Sequence, residues 1–77
     1  MIYVAIMKGV YRHEIRAVGV SKESVIYLSQ IALKHEFDNY HSIEVLEFSR
    51  EGLVDDGKLV AEIFKDKNGL VTVSKIE

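Results

Sequence analysis

Apolar and polar positions alternate along most of this chain, with one interruption. From Ile2 to Met7, Ile2, Val4 and Ile6 point one way, and Tyr3, Ala5 and Met7 point the other. Both sets are largely apolar, which predicts a strand placed centrally in a sheet. Lys8 to Arg12 turns the chain. His13 to Val20 returns as a second strand, with Glu14 and Arg16 on a wet side and Ile15 and Ala17 on the other. The period then lengthens. Ser21 can cap a helix with its hydroxyl, and Glu23 suits the positive end of the helix dipole. The helix is expected from about Lys22 to about Glu36, with Asp38-Asn39 as its stop. Strand periodicity resumes from Ser42 to Ser49. It continues from Lys58 to Lys65 after a polar connection, Arg50 to Gly57, and from Leu70 to Ile76 after a hairpin turn, Asp66 to Gly69.

The order ββαβββ predicts an α+β fold in two layers, a single antiparallel β-sheet with one α-helix packed on one face, with residues 1–77 as one domain. Short connections make strands one and two, and four and five, antiparallel neighbours. The strand order across the sheet does not follow from the pattern.

The helix carries more apolar surface than one contact uses. At about 100° per residue, Val25, Leu28, Ile31 and Ala32 form one stripe, expected to face the sheet. Ile26 and Leu33 form a second stripe, Ser29 and Glu36 sit between the two, and Tyr27, Gln30 and Lys34 make the more polar side. The second stripe must be covered by a chain terminus, by the 50–57 connection or by another molecule; a chain of 77 residues has little left over to do it, so Ile26 and Leu33 are expected to meet another molecule. Tyr3, Met7, Val71 and Val73 are expected to make the sheet face away from the helix apolar too, which calls for sheet-to-sheet association or pairing through strand five, moderated by Lys75 and Glu77.

Composition removes several kinds of chemistry. The chain has no cysteine, so disulfides, thiolate metal sites and a cysteine nucleophile are excluded. The longest stretch free of charge is ten residues, Ser24 to Leu33, where a bilayer span needs about 20. With no basic, apolar leader pattern either, a cytoplasmic location is expected, without membrane contact. The six serines lack a G-x-S-x-G elbow, and the glycines are isolated, so no phosphate loop forms. Glu44 and Glu47, three apart on a strand, face opposite sides and make no acid–base pair. Asp55-Asp56-Gly57 reads as a turn. His35, Glu36, Asp38 and His41 are the one group of metal-ligand types, yet their histidines stand six apart across a helix end instead of four apart on one face. No catalytic residue, metal or cofactor is therefore expected. A small enzyme with a His-carboxylate site at a subunit boundary would need His13, His35 or His41 as its base.

Charge is placed unevenly. Residues 1–35 hold five basic and two acidic side chains (net +3), residues 36–66 hold three basic and nine acidic (net −6), and the last eleven add +1. Lys8, Tyr11, Arg12, His13 and Arg16 form a small basic and aromatic group at the first hairpin. The total of −2 and a pI near 5.9 argue against nucleic acid as its partner. The acidic stretch 36–66 is instead a conceivable mimic of a phosphate backbone, at a smaller net charge than such mimics usually carry.

Three segments, Met1-Ile2-Tyr3-Val4-Ala5-Ile6, Val18-Gly19-Val20-Ser21-Lys22-Glu23 and Asp38-Asn39-Tyr40-His41-Ser42-Ile43-Glu44-Val45-Leu46-Glu47-Phe48, resemble short uncharacterised proteins of bacteriophages and prophages. The resemblance spans roughly residues 1–50. It implies an accessory protein of a mobile element that binds a host or defence component, or a signalling molecule used by one, in the cytoplasm of the host cell. It brings no catalytic residues. The leading expectation is a non-enzymatic homo-oligomer that inhibits or modulates a host protein. Its expected contacts are Ile26, Tyr27, Gln30 and Leu33 on the helix, with Tyr11 and Arg12 on the first hairpin. The alternative is an oligomeric sponge for a nucleotide signal, with Lys8, Arg12, His13 and Arg16 holding its phosphates.

Overall fold

A computed structural model describes residues 1–36, 41–49 and 57–76. The elements are β1 (Ile2–Lys8), β2 (His13–Gly19), α1 (Lys22–Lys34), β3 (Ser42–Phe48), β4 (Lys58–Lys65) and β5 (Val71–Lys75). They form one antiparallel five-stranded sheet, in the order β2-β1-β3-β4-β5, with α1 packed on one face. This is the expected α+β architecture. The expected helix stop at Asp38-Asn39 and the turn at Asp55-Asp56 lie outside the described residues.

Local chemistry explains the element ends. The Ser24 amide donates to Ser21 Oγ at 3.3 Å, and the Val25 amide donates to the Ser21 carbonyl at 3.1 Å, which starts the helix where the cap was expected. The helix ends two residues earlier than expected. The His35 amide turns back to the Ala32 and Leu33 carbonyls, and the Glu36 amide donates to the Leu33 carbonyl, tightening the last turn. Lys65 on β4 then donates its ammonium to the Glu36 carbonyl, a cation at the negative end of the dipole. In the β4–β5 turn, Asp66 Oδ1 accepts from the Asn68 and Leu70 amides at 2.8 and 2.9 Å, and Gly69 takes a φ of +82°.

The face of the helix that meets the sheet differs from the one expected. Val25, Ile26, Ser29 and Leu33 are buried, Ala32 is half-buried, and Leu28 and Ile31 are exposed. Ser29 sits at the middle of the buried face. Its hydroxyl is satisfied within the helix by the Val25 carbonyl at 2.7 Å, so burying it leaves no orphan group. Ile26 and Leu33, at 4% and 0% exposure, join Ala5, Met7, Val25, Ile43, Val45, Val60, Ala61 and Ile63 in one core. Each buried aliphatic side chain contributes about 1.5–3 kcal/mol. These two were expected to face another molecule, and the chain covers both by itself.

The sheet's two faces are also exchanged relative to expectation. Tyr3, Met7, Val71 and Val73 lie on the helix side, in or against the core. The outer face carries instead an apolar row in register across four strands, Val18, Val4, Leu46 and Leu59. Two bulges shift the parity. In β2, Ala5 pairs Ala17 and Ile6 pairs Ile15, leaving Arg16 as the extra residue. Ile15 and Ala17 therefore face opposite sides, not the same side. In β4, Val45 pairs Ala61 and Leu46 pairs Leu59, and the extra residue Val60 is buried in the core.

Across β1 and β3, the register partners Tyr3 and Glu47 share a hydrogen bond, phenol to carboxylate, of 3.0 Å. This bond, with smaller contributions from desolvation and from the carboxylate's charge, raises the phenol above its ordinary 10.0. A raised acid group stabilises fully below its unfolded value and loses that contribution as pH climbs from about 10 through the folded value. Tyr3→Phe removes this alkaline loss. The expected result is a wild-type melting temperature that falls more steeply than that of the variant above pH 10, with parallel curves at pH 7–9. Curves that stay parallel throughout would contradict it.

Candidate functional site

The first hairpin, between β1 and β2, builds the most distinctive surface. Its loop closes with the Gly9 amide on the Arg12 carbonyl at 3.0 Å. Beside it is a cleft of about 230 Å³ lined by Met7, Gly9, Val10, Tyr11, Arg12, Glu14, Arg16, Glu36 and His41. His41 packs over Gly9 so closely that a Cβ there would lie 3.1 Å from its Nε2. Arg16, the bulge residue, is turned toward the end of the helix. It pairs with Glu14 at 2.9 Å and with Glu36 at 3.3 Å, and Arg12 pairs with Glu14 at 3.1 Å. Among the described residues, two guanidinium groups thus face two carboxylates.

The four basic residues expected to act together do not. Arg12 and Arg16 line the cleft, whereas Lys8 and His13 are register partners on the outer face of the sheet. Lys8 is paired there with Glu44 at 3.0 Å, and His13 is exposed. A phosphate-holding group made of Lys8, Arg12, His13 and Arg16 is therefore corrected to two separate pairs on opposite sides of the sheet. Of the residues expected to meet a protein partner, Tyr11, Arg12 and Tyr27 are exposed and Gln30 is half-buried. Ile26 and Leu33 are removed from that group by their burial.

The apolar edge is not visible in the sequence pattern. Five of the eleven exposed large apolar side chains among the described residues lie on the hairpin, along β2, the free edge of the sheet, or just after it: Val10, Tyr11, Ile15, Val18 and Val20. Tyr11 at the tip is 97% exposed. The opposite edge, β5, shows Thr72, Ser74 and Lys75 to solvent, the polar dress that normally blunts an edge. The only trace of this in the sequence is the three-residue interval between Ile15 and Val18, which share a face only because the bulge intervenes.

No group of three or more histidine, aspartate or glutamate side chains is placed to hold a metal ion among the described residues, and none of their helices is long and apolar enough to cross a membrane. Comparison with protein-family models, with curated proteins and with solved structures finds no match.

Proposed function

We propose that this chain is a non-enzymatic binding protein, an accessory of a mobile element, that engages a host protein through the first hairpin and the β2 edge. The observation that carries the reading is the contrast between the two edges. The hairpin, β2 and the residue after it expose Val10, Tyr11, Ile15, Val18 and Val20, while the exposed side chains of β5 itself are Thr72, Ser74 and Lys75, with exposed Leu70 in the turn before it. Exposed aromatic and aliphatic anchors beside an arginine and a small cleft are the features from which protein interfaces draw most of their energy. The Arg16 bulge breaks the even spacing of the edge, so side chains rather than an added strand make the contact. The cleft supports a protein partner over a nucleotide. At about 230 Å³ it lies below the ~300–1,000 Å³ of small-molecule sites. It suits one inserted side chain, and its arginines already have carboxylate partners.

The test is reconstitution. A protein captured from host lysate and then purified should bind the chain directly. Val18→Lys and Tyr11→Ala should each weaken Kd about tenfold or more, with unchanged circular dichroism. Failure to find a direct partner, or binding that survives both substitutions, overturns the proposal. A melting temperature raised by cyclic or adenine nucleotides and abolished by Arg12→Ala would favour the sponge reading instead.

A further inference from the structure

The helix leaves a second surface uncovered, independent of the β2 edge. At about 100° per residue, Tyr27 and Ile31 point away from the face made by Val25, Ile26, Ser29 and Leu33. They are 63% and 39% exposed, and Leu28 beside them is exposed too. Ser24, Tyr27, Ile31 and Lys34, all exposed, follow one another at intervals of three, four and three. That is the spacing of a seam between paired helices. Its middle is apolar and its ends are polar.

We infer that a second copy of this chain docks on this seam, with the two helices antiparallel. The argument is charge. Glu23 stands in the first turn and Lys34 in the last, followed by the exposed cap His35. A parallel pair would set like charges against each other. An antiparallel pair about a two-fold axis near position 29 places Tyr27 on Ile31 of the second copy and Glu23 beside its Lys34, which lies on the same flank of the seam. It also sets opposite dipole ends side by side. Among the described residues, the charges on the neighbouring elements permit this. Lys22 is half-buried, turned toward the sheet side of the helix. Lys75 holds Glu23 at 3.2 Å in a pair whose side chains are 57% and 67% exposed, an arrangement too solvated to bind Glu23 tightly.

Sedimentation or light scattering across a wide concentration range tests this. The mass should rise from 8.8 kDa to twice that value. Tyr27→Glu and Ile31→Glu should each weaken self-association at least tenfold with the fold intact by circular dichroism. Glu23→Lys alone and Lys34→Glu alone should also weaken it, and the two together should restore it, because the reversed charges meet again only in an antiparallel pair. Val18→Lys should leave the mass unchanged, which separates this surface from the proposed partner site. A mass fixed at the monomer value, a pair that survives Tyr27→Glu and Ile31→Glu, loss on Val18→Lys, or no restoration in the doubly reversed chain overturns the inference.

Discussion

Leu33→Ala is expected to lower the free energy of unfolding by about 2–5 kcal/mol. Leu33 is fully buried, wedged by the last turn of α1 into a core it shares with Ile43, Val45 and Ile63. Truncation removes its transfer energy and leaves a cavity that a well-formed sheet cannot collapse to fill. A domain of this size has a total stability of ~5 kcal/mol, so the variant should keep at most about 3 kcal/mol and, at the upper end of the loss, be about half unfolded at room temperature. Urea titration followed by circular dichroism measures it. Ile26→Asp should fail more completely, since it places an unpaired charge in the same core. A cooperative unfolding curve displaced by less than 1 kcal/mol in Leu33→Ala would mean that the helix does not bear on the sheet as described.

Gly57→Ala is expected to cost about 1–3 kcal/mol, an unusual amount for so small an addition. A Cβ at that position would lie 2.6 Å from Phe48 Cζ and 2.9 Å from Leu46 Cβ. The ring of Phe48 can swing aside, but Leu46 Cβ is fixed to the backbone of β3, next to the bulge that buries Val60. The chain or the strand must therefore move. The midpoint of the urea curve should fall in Gly57→Ala while Gly9→Ala, whose added carbon would lie 3.1 Å from His41 Nε2 and 3.4 Å from the Arg12 carbonyl, should shift it less. Equal shifts would show that this passage over Leu46 is not a tight point.

The elements and their order could be read from apolar periodicity, Ser21 and the Asp66 to Gly69 turn, because each of these signals is local. Two matters were not legible, each for a physical reason. The helix phase was misread because Ser29, the centre of the buried face, is polar by composition and satisfied by a bond that sequence does not display. A hydrophobic count therefore favours Leu28 and Ile31, which are exposed. The sheet faces were misread because β1 is apolar on both sides and a bulge at Arg16 reverses the alternation of β2 midway. No residue type marks that bulge. Of the candidate site, Tyr11 and Arg12 were anticipated. The exposed edge of Ile15 and Val18 depends on the bulge, and the pairing of Arg16 with Glu36 depends on a contact between residues 20 apart.

The position of β1 between β2 and β3 also governs how the chain must be made. Its first neighbour follows within a few residues, but its second, from Ser42 to Phe48, pairs Lys8 through Ile2 and leaves the ribosome only after the helix. During synthesis β1 therefore waits with one row of amide and carbonyl groups bare, and with Ala5 and Met7 unshielded. Nascent chains stalled before residue 42 should be the ones that chaperones hold and proteases cut.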